Sequence, residues 1–99
     1  MNITVGDVWT FKMNSGEEVI AKVSKVEDTE VLLHQPVSVA PGPQGLGLVP
    51  SLFTAGVKAE VRLNTSNIAF YALTDDSIKA KYVEATTGLV VPDKKLILG

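Results

Sequence analysis

The sequence has 99 residues, a formal net charge of −2, a pI near 5.2 and no cysteine, which makes it one small domain without disulfides, thiolate metal sites or thiol chemistry. At 45% hydrophobic and 20% charged residues it lies outside the disordered range, and its weakly acidic balance offers phosphate no general attraction, so any nucleic-acid contact must be local. No apolar run reaches the ~18 residues of a membrane-spanning helix, and Met1-Asn2-Ile3-Thr4-Val5-Gly6-Asp7 lacks a basic leader region, so a cytoplasmic protein is expected.

Val8 to Met13 reads as the first strand, because Trp9, Phe11 and Met13 alternate with Thr10 and Lys12 at the period of a half-buried strand. Asn14-Ser15-Gly16 follows as a turn whose glycine tolerates positive φ. The second strand runs from about Val19 to Val26, with Val19, Ala21 and Val23 inward, and the polar run Glu27-Asp28-Thr29-Glu30 ends it. A third strand starts at Val31. Strict alternation places Val31, Leu33, Val37 and Val39 on one face and His34, Pro36 and Ser38 on the other.

Residues 41–56 read as a loop insertion, since Pro41 to Pro50 alone carries three of the five prolines and three of the eight glycines, residues that interrupt regular structure. Its Leu46, Leu48, Val49, Leu52 and Phe53 are expected to pack on something, a partner subunit being one candidate. Val57, Ala59, Val61 and Leu63 then alternate with Lys58, Glu60 and Arg62 as a half-buried strand. After Asn64-Thr65-Ser66-Asn67, the segment Ile68 to Leu73 is apolar at both parities, which implies cover on both faces by a neighbouring chain or a docked helix. Residues 74–88 read as a helix capped by Thr74 or Asp75 and closed by Gly88, with Ile78, Tyr82, Val83 and Ala85 on one side. The tail 89–99 is too apolar for a solvated linker.

Catalytic chemistry finds few candidates. His34 is the one histidine and would have to serve every base-assisted nucleophilic mechanism; on the polar parity of its strand it reads as a surface or interface residue. The pairs Glu17 with Glu18 and Asp75 with Asp76 sit at a turn and a helix start, where carboxylates are ordinarily solvated or capping. Glu27, Asp28 and Glu30 lack the glycine and closing carboxylate of a calcium loop, and Gly42, Gly45 and Gly47 precede no Gly-Lys-Ser/Thr. A non-enzymatic protein without metal or cofactor is expected.

Five strands, a glycine turn after the first, a linker after the third and a short polar turn between the last two make a mainly β, strongly bent, five-stranded SH3-like barrel over residues 8–73, with a C-terminal helix. The residue order resembles the Sm-like family. Its first signature is similar to Phe11-Lys12-Met13-Asn14-Ser15-Gly16-Glu17-Glu18-Val19-Ile20-Ala21-Lys22-Val23 with Glu27 and Asp28 in the acidic turn, Ala21 standing where glycine is usual. The second is similar to Leu63-Asn64-Thr65-Ser66-Asn67-Ile68-Ala69-Phe70-Tyr71.

The resemblance implies a homo-oligomeric ring of roughly five to eight subunits, closed by pairing the fourth barrel strand of one subunit with the fifth of the next, with Val57, Ala59, Val61, Ile68, Phe70 and Tyr71 at the interface. It also implies single-stranded RNA as a partner, held at Glu27, Asp28 and Thr29 and at Asn64, Thr65, Ser66 and Asn67. Asn64 replaces the basic residue of the second signature and Thr65 its glycine, while Val31 or Leu32 stands where the first signature has asparagine. A ring that serves as a protein-interaction or assembly scaffold without RNA is therefore the alternative. A third reading is a monomeric SH3-like peptide binder with Trp9, Phe11, Tyr71 and Tyr82 as its groove, although such aromatics are more often core.

Overall fold

The computed structural model describes residues 1–87; the expected closure of the helix at Gly88 and the apolar tail 89–99 lie outside the described residues. The chain runs β1 (Val8–Met13), β2 (Glu18–Val26), β3 (Glu30–Gly42), β4 (Gly45–Pro50), β5 (Glu60–Asn64), a 3-10 turn (Thr65–Asn67), β6 (Ile68–Leu73) and α1 (Asp76–Thr86). All pairings are antiparallel, in the order β4-β3-β2-β1-β6, and β5 pairs the first half of β3. No ladder joins β5 to β6 among the described residues, so the sheet does not close into a barrel. The 3-10 turn is the reason: the Asn14 amide donates to Asn67 O at 2.8 Å, which delivers β6 to the edge of β1.

Gly16 takes φ +95, and its amide closes the β1–β2 turn on Met13 O at 2.9 Å. Trp9, Phe11, Ala21, Val23, Val31 and Leu33 form the main core with Ile3, and Val61, Leu63, Ile68 and Tyr71 pack against them. Burying each of the larger side chains contributes about 1.5–3 kcal/mol. Ile3 reaches this core because the segment before β1 is laid along β2: Gly6 N donates to Val23 O at 2.8 Å and Val23 N to Asp7 O at 3.0 Å.

The opposite face carries a second cluster of Val8, Ile20, Val37 and Tyr82, with Val39, Leu48 and Ile78 against it. The alternation expected for β3 breaks here: Val31 and Leu33 face the main core, whereas Val37 and Val39 face α1. A bulge is responsible. Ile20 pairs Val37 but Lys22 pairs His34, so Gln35 and Pro36 together oppose Ala21, and Gln35 takes φ +48; the extra residue exchanges the two faces. Ser24 is the extra residue of a second bulge, in β2, and its hydroxyl donates to Leu32 O at 3.1 Å.

The first bulge frees backbone groups that Tyr82 of α1 satisfies. Its hydroxyl accepts from Lys22 N at 3.2 Å and shares its proton between His34 O at 2.8 Å and Gln35 O at 3.0 Å. Asp75 caps α1 by accepting from Ser77 N at 3.1 Å, and the Ser77 hydroxyl and amide hold its carboxyl below the usual carboxylate range. Val83, expected inward, is exposed.

The segment expected as a loop instead begins with a hairpin. β3 continues to Gly42 and pairs back through Val37–Pro50 to Gly42–Gly45, turning at Pro43-Gln44 with Gly45 at φ +108. The prolines fit because β3 has left β2 beyond Ser38 and β4 is an edge strand, where a missing N–H breaks no ladder bond. β5 starts at Glu60 rather than Val57, because the Ala59 amide closes a turn on Gly56 O at 3.0 Å.

Candidate functional site

The turns at 27–29 and 64–67 lie far apart in sequence and side by side in the fold. Antiparallel pairing of β5 with β3 sets Asn64 opposite Glu30, and both Thr65 N and Thr65 Oγ1 donate to Thr29 O, at 3.0 and 3.2 Å. Asn14 joins them from the β1–β2 turn, its side-chain amide donating to Ser66 O at 2.9 Å. Asp28, Thr29, Asn64, Ser66 and Asn67 are exposed, while Glu27 and Thr65 are half-buried. This end of the molecule therefore presents hydroxyls, carboxamides and carboxylates on a hydrogen-bonded frame.

As Lys25 precedes the 27–29 turn by two residues, so Arg62 precedes the 64–67 turn by two, and no role in the site was expected of it. Its guanidinium lies 3.5 Å from Glu27 and 3.2 Å from Glu30 through Nη1, and 3.8 Å from Glu60 through Nη2. Lys25 adds a contact of 3.2 Å to Glu27. Two cations thus serve three carboxylates, with Asp28 beyond them, and the surface is net acidic. Each of these exposed pairs contributes only ~0–1 kcal/mol, so the network sets the sign of the local field more than it stabilises the fold. The alternation Lys58, Glu60, Arg62 held the signal, but only the register of β3 with β5 shows which carboxylates Arg62 meets.

The expected interface residues divide between two places. Ile68, Phe70 and Tyr71 are on β6, where Phe70 is 66% exposed and Tyr71 packs on Trp9 with ring centroids 5.9 Å apart. Val61 is on β5 and turned into the main core. Val57 and Ala59 precede β5 and line an apolar groove under α1. The second face of β6 is thus not covered by the helix, which docks instead on Val8, Ile20 and Val37.

The other candidates are engaged structurally. His34 is exposed on β3, between Lys22 and Glu60 in the ladders. Glu17 accepts from the Ser38 hydroxyl, and Glu18 lies 3.9 Å from Lys12. Trp9, Phe11 and Tyr82 are buried, so the four aromatics do not form an open groove. No cluster of three or more metal-ligating side chains occurs among the described residues. No helix among them is long and apolar enough to cross a membrane.

No protein-family model matches the chain, and a search of curated proteins finds no match.

Proposed function

We propose that this protein is a non-enzymatic, ring-forming, Sm-like protein whose β2–β3 and β5–β6 turns contact single-stranded RNA. In this reading the open sheet is the Sm-like form of an SH3-like barrel, completed sideways by neighbouring copies. The observation that carries it is the pair of Thr65-to-Thr29 hydrogen bonds, which fix two short turns from distant parts of the chain as one continuous polar surface. Thr29, Asn64, Ser66 and Asn67 supply neutral donors and acceptors for base edges, the means by which single-stranded RNA is read.

The acidic surround shapes the expected binding. Because phosphate contacts by free cations generate the steep salt dependence of nucleic-acid binding, and Arg62 is held among carboxylates, affinity is expected to be modest and weakly salt-dependent. A filter-binding titration with uridine-rich and adenosine-rich oligonucleotides tests this. Saturation below about 100 µM, a free energy near −5.5 kcal/mol, that weakens on Asn64→Ala and Asn67→Ala supports the site. No binding at low salt removes RNA from the proposal.

The same Arg62 network favours a second reading, a ring that acts as an assembly or protein-interaction scaffold. It gains ground if the native mass is that of a ring while no oligonucleotide binds.

A further inference from the structure

An apolar groove of about 460 Å³ lies between α1, the β3–β4 hairpin and the segment 51–59. Val37, Leu48, Pro50, Phe53, Val57 and Ala85 form much of its lining. Phe53 is 60% exposed and Val57 57%, so nothing among the described residues covers this wall. No residue of the two polar turns lines the groove, whereas Val57, Ala59 and Val61, expected at the ring interface, do, so an intrachain occupant would leave β6 to make the ring contact.

The chain itself leads to the groove. Ala85 and Thr86 line it, and α1 ends at Thr86, so the backbone leaves the helix at the groove's wall. The residues that follow are Gly88-Leu89-Val90-Val91-Pro92. Leu89 is only two residues beyond Thr87, a reach of at most about 7 Å, and the residue between them is a glycine, the type that accepts the backbone angles of a sharp turn without strain. Three consecutive apolar side chains bounded by proline match an apolar cleft of this volume, which lies within the ~300–1,000 Å³ that commonly holds a ligand. Tethering decides between a segment of the same chain and any free partner: a short linker gives a local concentration on the order of millimolar. Lys81 and Glu84 stand on the wall that α1 contributes.

We propose that Leu89-Val90-Val91 of the same chain docks in the groove between α1, β4 and the segment 51–59, making it an intrachain seat. The docked segment would hold the 51–59 segment against α1 and remove Phe53 and Val57 from water. The chain has no cysteine, so introduced thiols report without background. Ala55 lines the groove and is exposed. Full-length A55C is combined in turn with L89C, V90C and V91C, oxidised mildly, and run on denaturing non-reducing gels with free-thiol titration. The expected result is an intrachain disulfide in at least one pair, with loss of both thiols and a monomer-sized band. Covalent dimers or ladders would overturn the proposal by placing another copy's segment in the groove, and retention of thiols in all three pairs would overturn it outright. The native mass of the same samples before oxidation reports ring formation separately, so failure of the groove proposal and failure of the ring leave different records.

Discussion

Tyr82 shows how one side chain joins a helix to a sheet. Its ring fills the second cluster while its hydroxyl serves an amide and two carbonyls exposed by the β3 bulge. Tyr82→Phe keeps the ring and removes the hydroxyl, leaving Lys22 N and two carbonyls without that partner, and is expected to lower unfolding free energy by about 1–3 kcal/mol. A urea titration should show a lower midpoint with an unchanged slope. Burial also pushes the Tyr82 phenol above its usual range. The folded state then retains a proton that the unfolded chain releases near pH ~10; the stabilisation is complete below that pH and is lost as pH rises through the folded value. Urea midpoints at pH 8 and near 10.5 should therefore converge between wild type and Tyr82→Phe. An equal gap at both pH values would place the phenol outside this linkage.

At the scale of elements, β1 and β2 were legible because Trp9, Phe11, Ala21 and Val23 keep a period of two and face the main core. β3 was legible only to His34. Gln35-Pro36 carries no residue that advertises a bulge, since Gln35 enters φ +48 without being glycine or asparagine, and the swap of Val37 and Val39 to the helix side followed unseen. The hairpin was missed for a related reason: Pro41 and Pro50 exclude a central strand but not an edge, and edge position depends on where β3 leaves β2. The two polar turns were legible as turns, whereas their contact needs the Glu30–Asn64 register, and the carboxylates around Arg62 follow from that register too. The bulge predicts its own sensitivity. Replacing Gln35 by β-branched Val, which strongly resists positive φ, is expected to destabilise by about 1–2 kcal/mol. An equal urea midpoint in Gln35→Val would show that the bulge relaxes without cost.

At the scale of the whole molecule, three strands of the sheet, β4, β5 and β6, have a single partner among the described residues. β5 pairs β3 on one side and β6 pairs β1 on one side, and neither has a second partner among the described residues. Unpaired edges of this kind invite another chain, and β6 adds exposed apolar side chains at Phe70 and Leu73. If β5 of one copy pairs with β6 of the next, every copy gives one edge and receives one, a heterologous contact that closes into a ring when the rotation permits. Such a ring repeats the Asp28 carboxylate and the partly neutralised Arg62 network once per subunit. Added salt should screen the repulsion among them, so ring stability is expected to hold or rise from low to moderate ionic strength. The decisive substitution is Phe70→Asp: the side chain points to solvent in the single chain, so the fold should change by no more than about 0.5 kcal/mol. An apolar contact with the next copy would instead become a buried charge without a partner, strongly unfavourable. Native mass spectrometry should then find a multiple of 10.5 kDa for wild type and a single chain for Phe70→Asp, with the urea transition of the isolated chain retained. A ring of unchanged mass in the variant would remove β6 from the interface, and a wild-type monomer would remove the ring.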